Sequence, residues 1–369
     1  MKKRIEARLG IQQRVLPAYR VPFFDALALE CKQGLGVFAG LPHPEEAIEA
    51  SVLPQQAAYA QAVNHHLLSG RYYLCLQSRW HHWLRTWQPA VLIMEANPRY
   101  LSSYFIMHHM KQRGLPLIGW GLGAPRTLGG VLGKLRHLFL NQFDALITYS
   151  RQGLQDYLDL GFTAQKIFVA YNAAVPRPIM APPQRGMEFP TERAAVLYVG
   201  RLQERKRVAD LIHACAAMMP ERQPRLWVVG DGPERRSLEE LAQQIYPATQ
   251  FYGAQHGADL DRLFSRADLF VLPGTGGLAV QQAMSFALPV IVGQADGTQA
   301  ELVRRENGWC LDAPGVEILT ETLNAALSNI PGLRAKGLES YRIVREEVNL
   351  EKMVDVFVQA VNSVLEKQK

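Results

Sequence analysis

The sequence predicts an α/β chain built from two Rossmann-like domains. Short apolar runs alternate with amphipathic stretches along the chain, the pattern of β-α units around a parallel sheet. A proline-rich piece, Pro176-Arg-Pro-Ile-Met-Ala-Pro-Pro183 with Pro190 close behind, separates these runs into two sets. Four prolines in eight residues interrupt any helix or central strand. The length of 369 residues, with 48% hydrophobic and 20% charged residues, suits about two globular domains and excludes a wholly disordered chain.

The first domain is expected over residues 1–175. Strands are read at Val91–Met94, Leu115–Ile118, Ala145–Thr148 and Ile167–Ala170, after a first strand that precedes Tyr19. Arg71–Trp87 is aromatic and basic. Tyr73, Trp80, Leu84 and Trp87 share one face at helical spacing, so a helix packed on the sheet is expected there, with contact to a membrane as the alternative. Lys134–Leu140 reads as a second amphipathic helix, with an interfacial role as the alternative. Residues 176–192 are the linker.

The second domain is expected over 193–349, with strands at Ala195–Val199, Leu226–Val229, Gln250–Tyr252, Leu269–Leu272 and Leu288–Val292. Val208, Leu211, Ile212, Cys215 and Met219 form one stripe of a helix between the first two strands. A short helix is read over Asp259–Ala267. Met353, Phe357, Ala360, Val361, Val364 and Leu365 mark a final helix, about 350–369, which either caps the second domain or crosses back to the first.

Charge separates the two halves. Residues 1–150 carry 16 Lys+Arg against 8 Asp+Glu, or +8, and the remainder carries 24 against 26, or −2. Eight of the ten histidines also lie in the first 150 residues. The basic half therefore faces an anionic partner, for which a membrane surface or a phosphorylated acceptor fits. Nucleic acid is not expected, because no basic run exceeds three residues and no nucleic-acid motif occurs. No apolar stretch approaches the roughly 18 residues of a spanning helix, and the start lacks the apolar core of a secretory signal. The expected location is cytoplasmic, peripheral at the inner face of a membrane. Cys31, Cys75, Cys215 and Cys310 are far apart and cluster with no histidine, so they are read as reduced thiols and no metal site is expected.

Three consecutive strand ends carry the chemistry. The first strand of the second domain runs into Gly200-Arg201, with Lys206 at the opening of a helix. A glycine turn, a helix N-terminus and two cations five apart suit a phosphate, although the same charges could stand in a solvated loop. The second strand ends in Val228-Val-Gly230-Asp-Gly-Pro, and Tyr252 closes the next. Leu269–Leu272 leads into Pro273-Gly274-Thr275-Gly276-Gly277-Leu278, where backbone N–H groups can approach a pyrophosphate. Open α/β sheets bind ligands at such carboxyl ends.

These residues resemble the retaining glycosyltransferases of GT-B fold, family 4 or group 1 type. The likeness is carried by Val199-Gly-Arg-Leu202 with Lys206, Val228-Val-Gly-Asp-Gly-Pro233, Gly277-Leu-Ala-Val-Gln-Gln-Ala-Met284 with Pro289-Val-Ile, and Glu301-Leu-Val with Asn307-Gly. Ala145–Arg151 and Ile167–Asn172 resemble, less strictly, the approach to the family's hinge. The resemblance implies two Rossmann-like domains facing across a cleft, with the last helix returning to the first. It also implies sugar transfer from a nucleotide diphosphate sugar with retention and without a metal.

By the same resemblance, Arg201 and Lys206 match the pair that neutralises the donor pyrophosphate. The family's Glu-x7-Glu pair is absent, its positions reading Gly274 and Gln282, and Leu122 replaces a common histidine. A start of Tyr19-Arg20-Val-Pro-Phe-Phe24 and the Pro273-Gly274 loop resemble a subgroup that lacks this pair, so the departures are read as subgroup character. In a front-face displacement the leaving phosphate itself accepts the acceptor's proton, and stabilising the diphosphate is the protein's main task.

Arg201, Lys206 and Glu95 are catalytic. Gly200, Gly230, Tyr252, Gly274, Thr275, Gly276, Gly277, Leu278, Gln282 and Glu301 hold the donor, with Asp296-Gly-Thr298 placed beside its sugar. Tyr19, Arg20, Asn97 and Arg99 face the acceptor, which is a glycan, a lipid-linked glycan or a small molecule. No cofactor is expected beyond the donor, whose base is open among UDP, GDP and ADP. The rival readings are a non-catalytic nucleotide-sugar-binding module and an epimerase or hydrolase of the same fold.

Overall fold

A computed structural model describes residues 3–46, 48–123, 130–190, 192–293 and 301–367. The chain divides into two compact units, Met1–Ala174 with Leu350–Lys369, and Val175–Asn349.

The first unit opens with β1 (Leu9–Val15), α1 (Val21–Leu29), β2 (Leu35–Gly40) and β3 (Ala58–Gln61). A hairpin of β4 (Val63–Leu67) and β5 (Leu74–Ser78) follows, then α2 (Trp80–Trp87), β6 (Val91–Glu95), α3 (Leu101–Gln112) and β7 (Leu117–Gly121). After them come α4 (Gly130–Leu140), β8 (Ala145–Thr148), α5 (Arg151–Asp159) and β9 (Ile167–Val169). Seven strands pair in parallel in the order β3-β2-β1-β6-β7-β8-β9, and only β4 and β5 are antiparallel among the described strands. Setting the hairpin aside, this is the doubly wound order, reversing between β1 and β6.

The second unit contains β10 (Ala195–Val199), α6 (Val208–Ala217), β11 (Arg225–Val229), α7 (Arg235–Ile245), β12 (Thr249–Gly253) and α8 (Gly257–Arg266). Then follow β13 (Leu269–Leu272), α9 (Leu278–Ser285), β14 (Val290–Val292), β15 (Gly308–Cys310), α10 (Val316–Ser328) and α11 (Ile330–Glu346). Its sheet is parallel, in the order β12-β11-β10-β13-β14-β15, and reverses between β10 and β13. Leu269, Phe270, Val271 and Leu272 are all fully buried, as a strand covered on both faces must be.

The last helix, α12 (Leu350–Glu366), belongs to the first unit. Phe357 sets its ring 4.8 Å from those of Phe23 and Trp120, completing an aromatic core beneath α1. The described part of 176–192 has no regular element. It is tied to the second unit by Arg185, whose guanidinium donates to the carbonyls of Phe264, Ser265, Ala267, Phe286 and Ala287 at the ends of α8 and α9. Gln281 holds both ends of the second unit: its Oε1 accepts the Val175 N–H at 3.3 Å, and its Nε2 donates to the Val348 carbonyl at 2.7 Å.

Two local expectations fail. Tyr73 does not share a helix with Trp80, because Leu74–Ser78 is a strand whose Cys75 and Gln77 alternate inward, and α2 buries Leu84 as expected but with Trp83 beside it. Met219 lies past the end of α6 and is half exposed, since Pro220 follows and disfavours helical backbone before it. Strands β7 and β14 begin two residues later than read, each just after a proline, Pro116 or Pro289.

Candidate functional site

In the second unit, the loops after β10 and β13 meet at the point where the strand order reverses. The Nζ of Lys206 is buried and donates to the carbonyls of Thr275 and Gly276 at 2.6 and 2.7 Å. Arg205 adds a bond from its guanidinium to the Thr275 hydroxyl, and its carbonyl accepts the Thr275 N–H. Lys206 is thus fixed to the glycine loop, where the sequence suggested a freely converging cation. Arg201 is exposed, with no side-chain hydrogen bond among the described residues, and its carbonyl accepts from the buried Tyr198 hydroxyl. One cation therefore charges the loop while the other reaches into solvent.

The glycines differ in role. A Cβ at Gly274 would stand 2.2 Å from the Arg205 carbonyl oxygen, so the missing side chain lets the two loops touch. A glutamate would not fit there unless the 205–206 turn moved. Gly276 has φ +59° and open space where a Cβ would point. At Gly277 a Cβ would meet Leu272 at 2.8 Å, and its φ of 161° is extended. Of the two glycines assigned to the donor here, Gly277 thus packs on the sheet and Gly276 faces the open space. Gly200 and Gly230 serve the same kind of contact, since a Cβ at Gly230 would lie 1.9 Å from the Gly200 carbonyl oxygen. Leu278 opens α9 behind this loop.

Gln282 is partly buried, with its Nε2 3.5 Å from Asp261 Oδ1 on α8. Tyr252 stands two strands from β10, with its hydroxyl donating to Gln250 and its ring edge-on to Trp227. Glu301 is partly buried and follows residues 294–300, so Asp296 and Thr298 lie outside the described residues.

In the first unit, Glu95 ends β6 at the reversal of strand order. Its Oε2 accepts the main-chain N–H of Arg14 at 2.9 Å. Burial pushes its carboxyl up to about 7, against the opposing pull of Arg14 and Arg20. Arg20 is buried, its guanidinium over the rings of Tyr19, Trp120 and Tyr149 and 3.7 Å from the Met353 sulfur. Tyr19 is half exposed beside it. Asn97 closes the turn after β6 by accepting the Arg99 N–H at 3.1 Å, and Arg99 points to solvent. Leu122 is exposed after β7.

Arg14 and Glu46 escape the sequence reading. The Arg14 guanidinium pairs with both oxygens of Glu46 at 2.8 and 2.9 Å, and Gln77 and Asn64 bond the neighbouring carbonyls of Gln13 and Arg14. The signal was available in Gln12-Gln13-Arg14, polar residues inside a strand whose other positions are apolar.

Residues 184–338 match the family model of glycosyl transferases group 1. The match takes in both loops at the β10–β13 reversal. The sulfoquinovosyl transferase SQD2 of Arabidopsis thaliana is 31% identical over 153 residues, 39% of this chain and 29% of that protein. The lipopolysaccharide core biosynthesis glycosyltransferase LpsE of Rhizobium meliloti is 25% identical over 255 residues, 64% of this chain and 74% of that protein. The alignment thus spans less than a third of the Arabidopsis relative and about three quarters of the Rhizobium one. Among solved structures, Anabaena HepE in complex with UDP superposes with a TM-score of 0.68 at 18% identity, covering 98% of this chain and 99% of that one. The fold is GT-B.

Proposed function

We propose that the chain is a retaining glycosyltransferase that moves a sugar from a nucleotide diphosphate sugar to a glycan, a lipid-linked glycan or a small-molecule acceptor in surface polysaccharide or glycolipid assembly. The observation that carries this reading is the coincidence of the family match with the β10–β13 loops, where Lys206 charges an open glycine turn. The bond from the anomeric carbon to the diphosphate breaks as the bond to the acceptor oxygen forms on the same face. The departing diphosphate takes the acceptor's proton. Arg201, Lys206 and the N–H groups of Gly276–Leu278 hold its developing charge. In the first unit, Glu95 orients the acceptor hydroxyl or the donor sugar, with Tyr19, Asn97 and Arg99 as acceptor contacts, while the buried Arg20, read from the sequence as one of them, supports the Tyr19 ring instead. The same basic unit is proposed to work at an anionic membrane surface.

The test is a thermal-shift screen of UDP, GDP and ADP sugars, followed by turnover with the best binder. Transfer or donor hydrolysis supports an enzyme, and tight binding without either would leave a binding module. Because side chains supply the positive charge, turnover should persist in EDTA. Loss restored by magnesium or manganese would refute metal independence.

A further inference from the structure

Between Glu49 and Asp144 the sequence contains one acid, Glu95, against nine Lys+Arg and seven histidines. Glu95 is bonded to Arg14 at the end of a strand, so it does not offset this charge at the surface. The helices α2, α3 and α4 fall within this stretch, and none carries Asp or Glu. They are neighbours. The Trp80 ring stacks on Phe105 across α2 and α3, with centroids 6.4 Å apart, and also meets His109. Tyr104 of α3 packs on Phe139 of α4 at 5.2 Å, and Lys111 bonds Gln142 just beyond α4.

The solvent side of these helices is apolar as well as basic. Phe105 is 58% exposed, Leu135 56% and Leu138 57%, with Arg85, Lys111 and Lys134 exposed among them. Large apolar side chains scattered singly on a surface need no explanation, but here they share adjacent helices with cations and with no counter-charge. Rings and leucines enter the headgroup boundary of a bilayer while arginine and lysine meet lipid phosphates.

We propose that the exposed faces of α2, α3 and α4 form a docking surface for an anionic lipid bilayer. This rests on the reading that the first unit works at an anionic surface, and it names the residues that do so. It does not depend on the chemistry assigned to the second unit.

The experiment is sedimentation of the full chain with vesicles of equal parts phosphatidylglycerol and phosphatidylcholine, and with phosphatidylcholine alone. The wild type should bind only the anionic vesicles. Each cation near such a surface contributes about fivefold in affinity, so Arg85→Glu with Lys111→Glu should weaken binding by at least about twenty-five-fold. Binding of the wild type should shift tryptophan emission to the blue through Trp80, which stacks on Phe105, and Phe105→Ser with Leu138→Ser should weaken binding and reduce that shift. Thermal shift by nucleotide diphosphates, a property of the other unit, should be the same in all forms and reports their folding. Equal binding to both vesicles, or variants that bind as wild type does, would overturn the proposal. So would duplex DNA binding tighter than vesicle binding and lost in the same charge reversals. If vesicles bind but no nucleotide does, the surface stands and the donor reading fails.

Discussion

The main-chain N–H of Arg14 donates to Glu95, while the guanidinium of the same arginine is committed to Glu46. One residue thus links the end of β1 to the carboxylate at the end of β6 without neutralising it by direct pairing. Burial then dominates, and the carboxyl sits near 7.

This gives a pH signature. Between about 4.5 and 7, Glu95 is ionised in the unfolded chain and protonated in the folded one, so the folded state binds more protons and stability falls as pH rises. The whole effect is up to about 3 kcal/mol. Glu95→Gln should flatten stability against pH in that window and raise the melting temperature at pH 8. Turnover of the wild type should rise through pH 7, and the variant should be slow and flat. An unchanged pH profile in the variant would remove Glu95 from the reaction.

Arg201 and Lys206 should separate in their effects. Arg201→Ala leaves the melting temperature in place and lowers turnover by about 10²–10³-fold, the usual cost of losing one donor to a developing anion. Lys206→Met loses two charge-assisted bonds to Thr275 and Gly276, and should cost about 1.5–3 kcal/mol of stability as well as nucleotide affinity. Calorimetric titration with UDP and GDP beside thermal unfolding distinguishes the two. Equal melting temperatures for both variants would contradict the buried position of Lys206.

The glycine loop offers a sharper test. Gly276→Ala meets no protein atom and should cost only about 1–2 kcal/mol for its left-handed backbone, yet it should weaken nucleotide binding, because its Cβ enters the open space. Gly274→Ala collides with the Arg205 carbonyl and should destabilise by more than about 3 kcal/mol. If Gly276→Ala binds and turns over normally, the ligand does not approach this turn.

Arg185 is expected to matter for stability alone. Burial and the nearby Arg334 draw its guanidinium down to about 10, with Asp268 opposing, yet it remains charged at neutral pH and caps two helix ends. Arg185→Ala should lower stability by about 2–4 kcal/mol and leave the Michaelis constant for the donor unchanged. Lysine should rescue little, because one ammonium cannot span five carbonyls.

The strands of the second unit were legible because parallel strands buried on both faces read as unbroken apolar runs. The hairpin β4–β5 was hidden for the opposite reason. Asn64, His65, His66 and Gln77 occupy its strands, and Asn64 and Gln77 serve a buried polar network, so its pattern of two is masked. Aromatic residues just beyond it supplied a false helical spacing through Tyr73. At the site, the glycine-rich loop was legible as a type, but the division of labour among Gly274, Gly276 and Gly277 was not. That depends on which backbone passes behind each one, here Arg205–Lys206 or Leu272, and local sequence does not encode it. For Arg14 the polar run Gln12-Gln13-Arg14 marked the place, but its bond to Glu95 comes from a main-chain N–H, which every residue but proline possesses and no sequence pattern reveals.

The clasp made by Gln281 has a practical corollary for dissecting the molecule. Val175 and Val348 bond the same side-chain amide, so the chain enters and leaves the second unit at neighbouring points. Topologically, that unit is an insert within the first. Truncation at residue 174 would strip Phe357 from Phe23 and Trp120 and yield a piece with an open aromatic core. Splicing Ala174 to Leu350 through a few glycines should instead give a self-contained first unit, and residues 175–349 its excised counterpart. Each half could then be labelled, titrated and crystallised by itself.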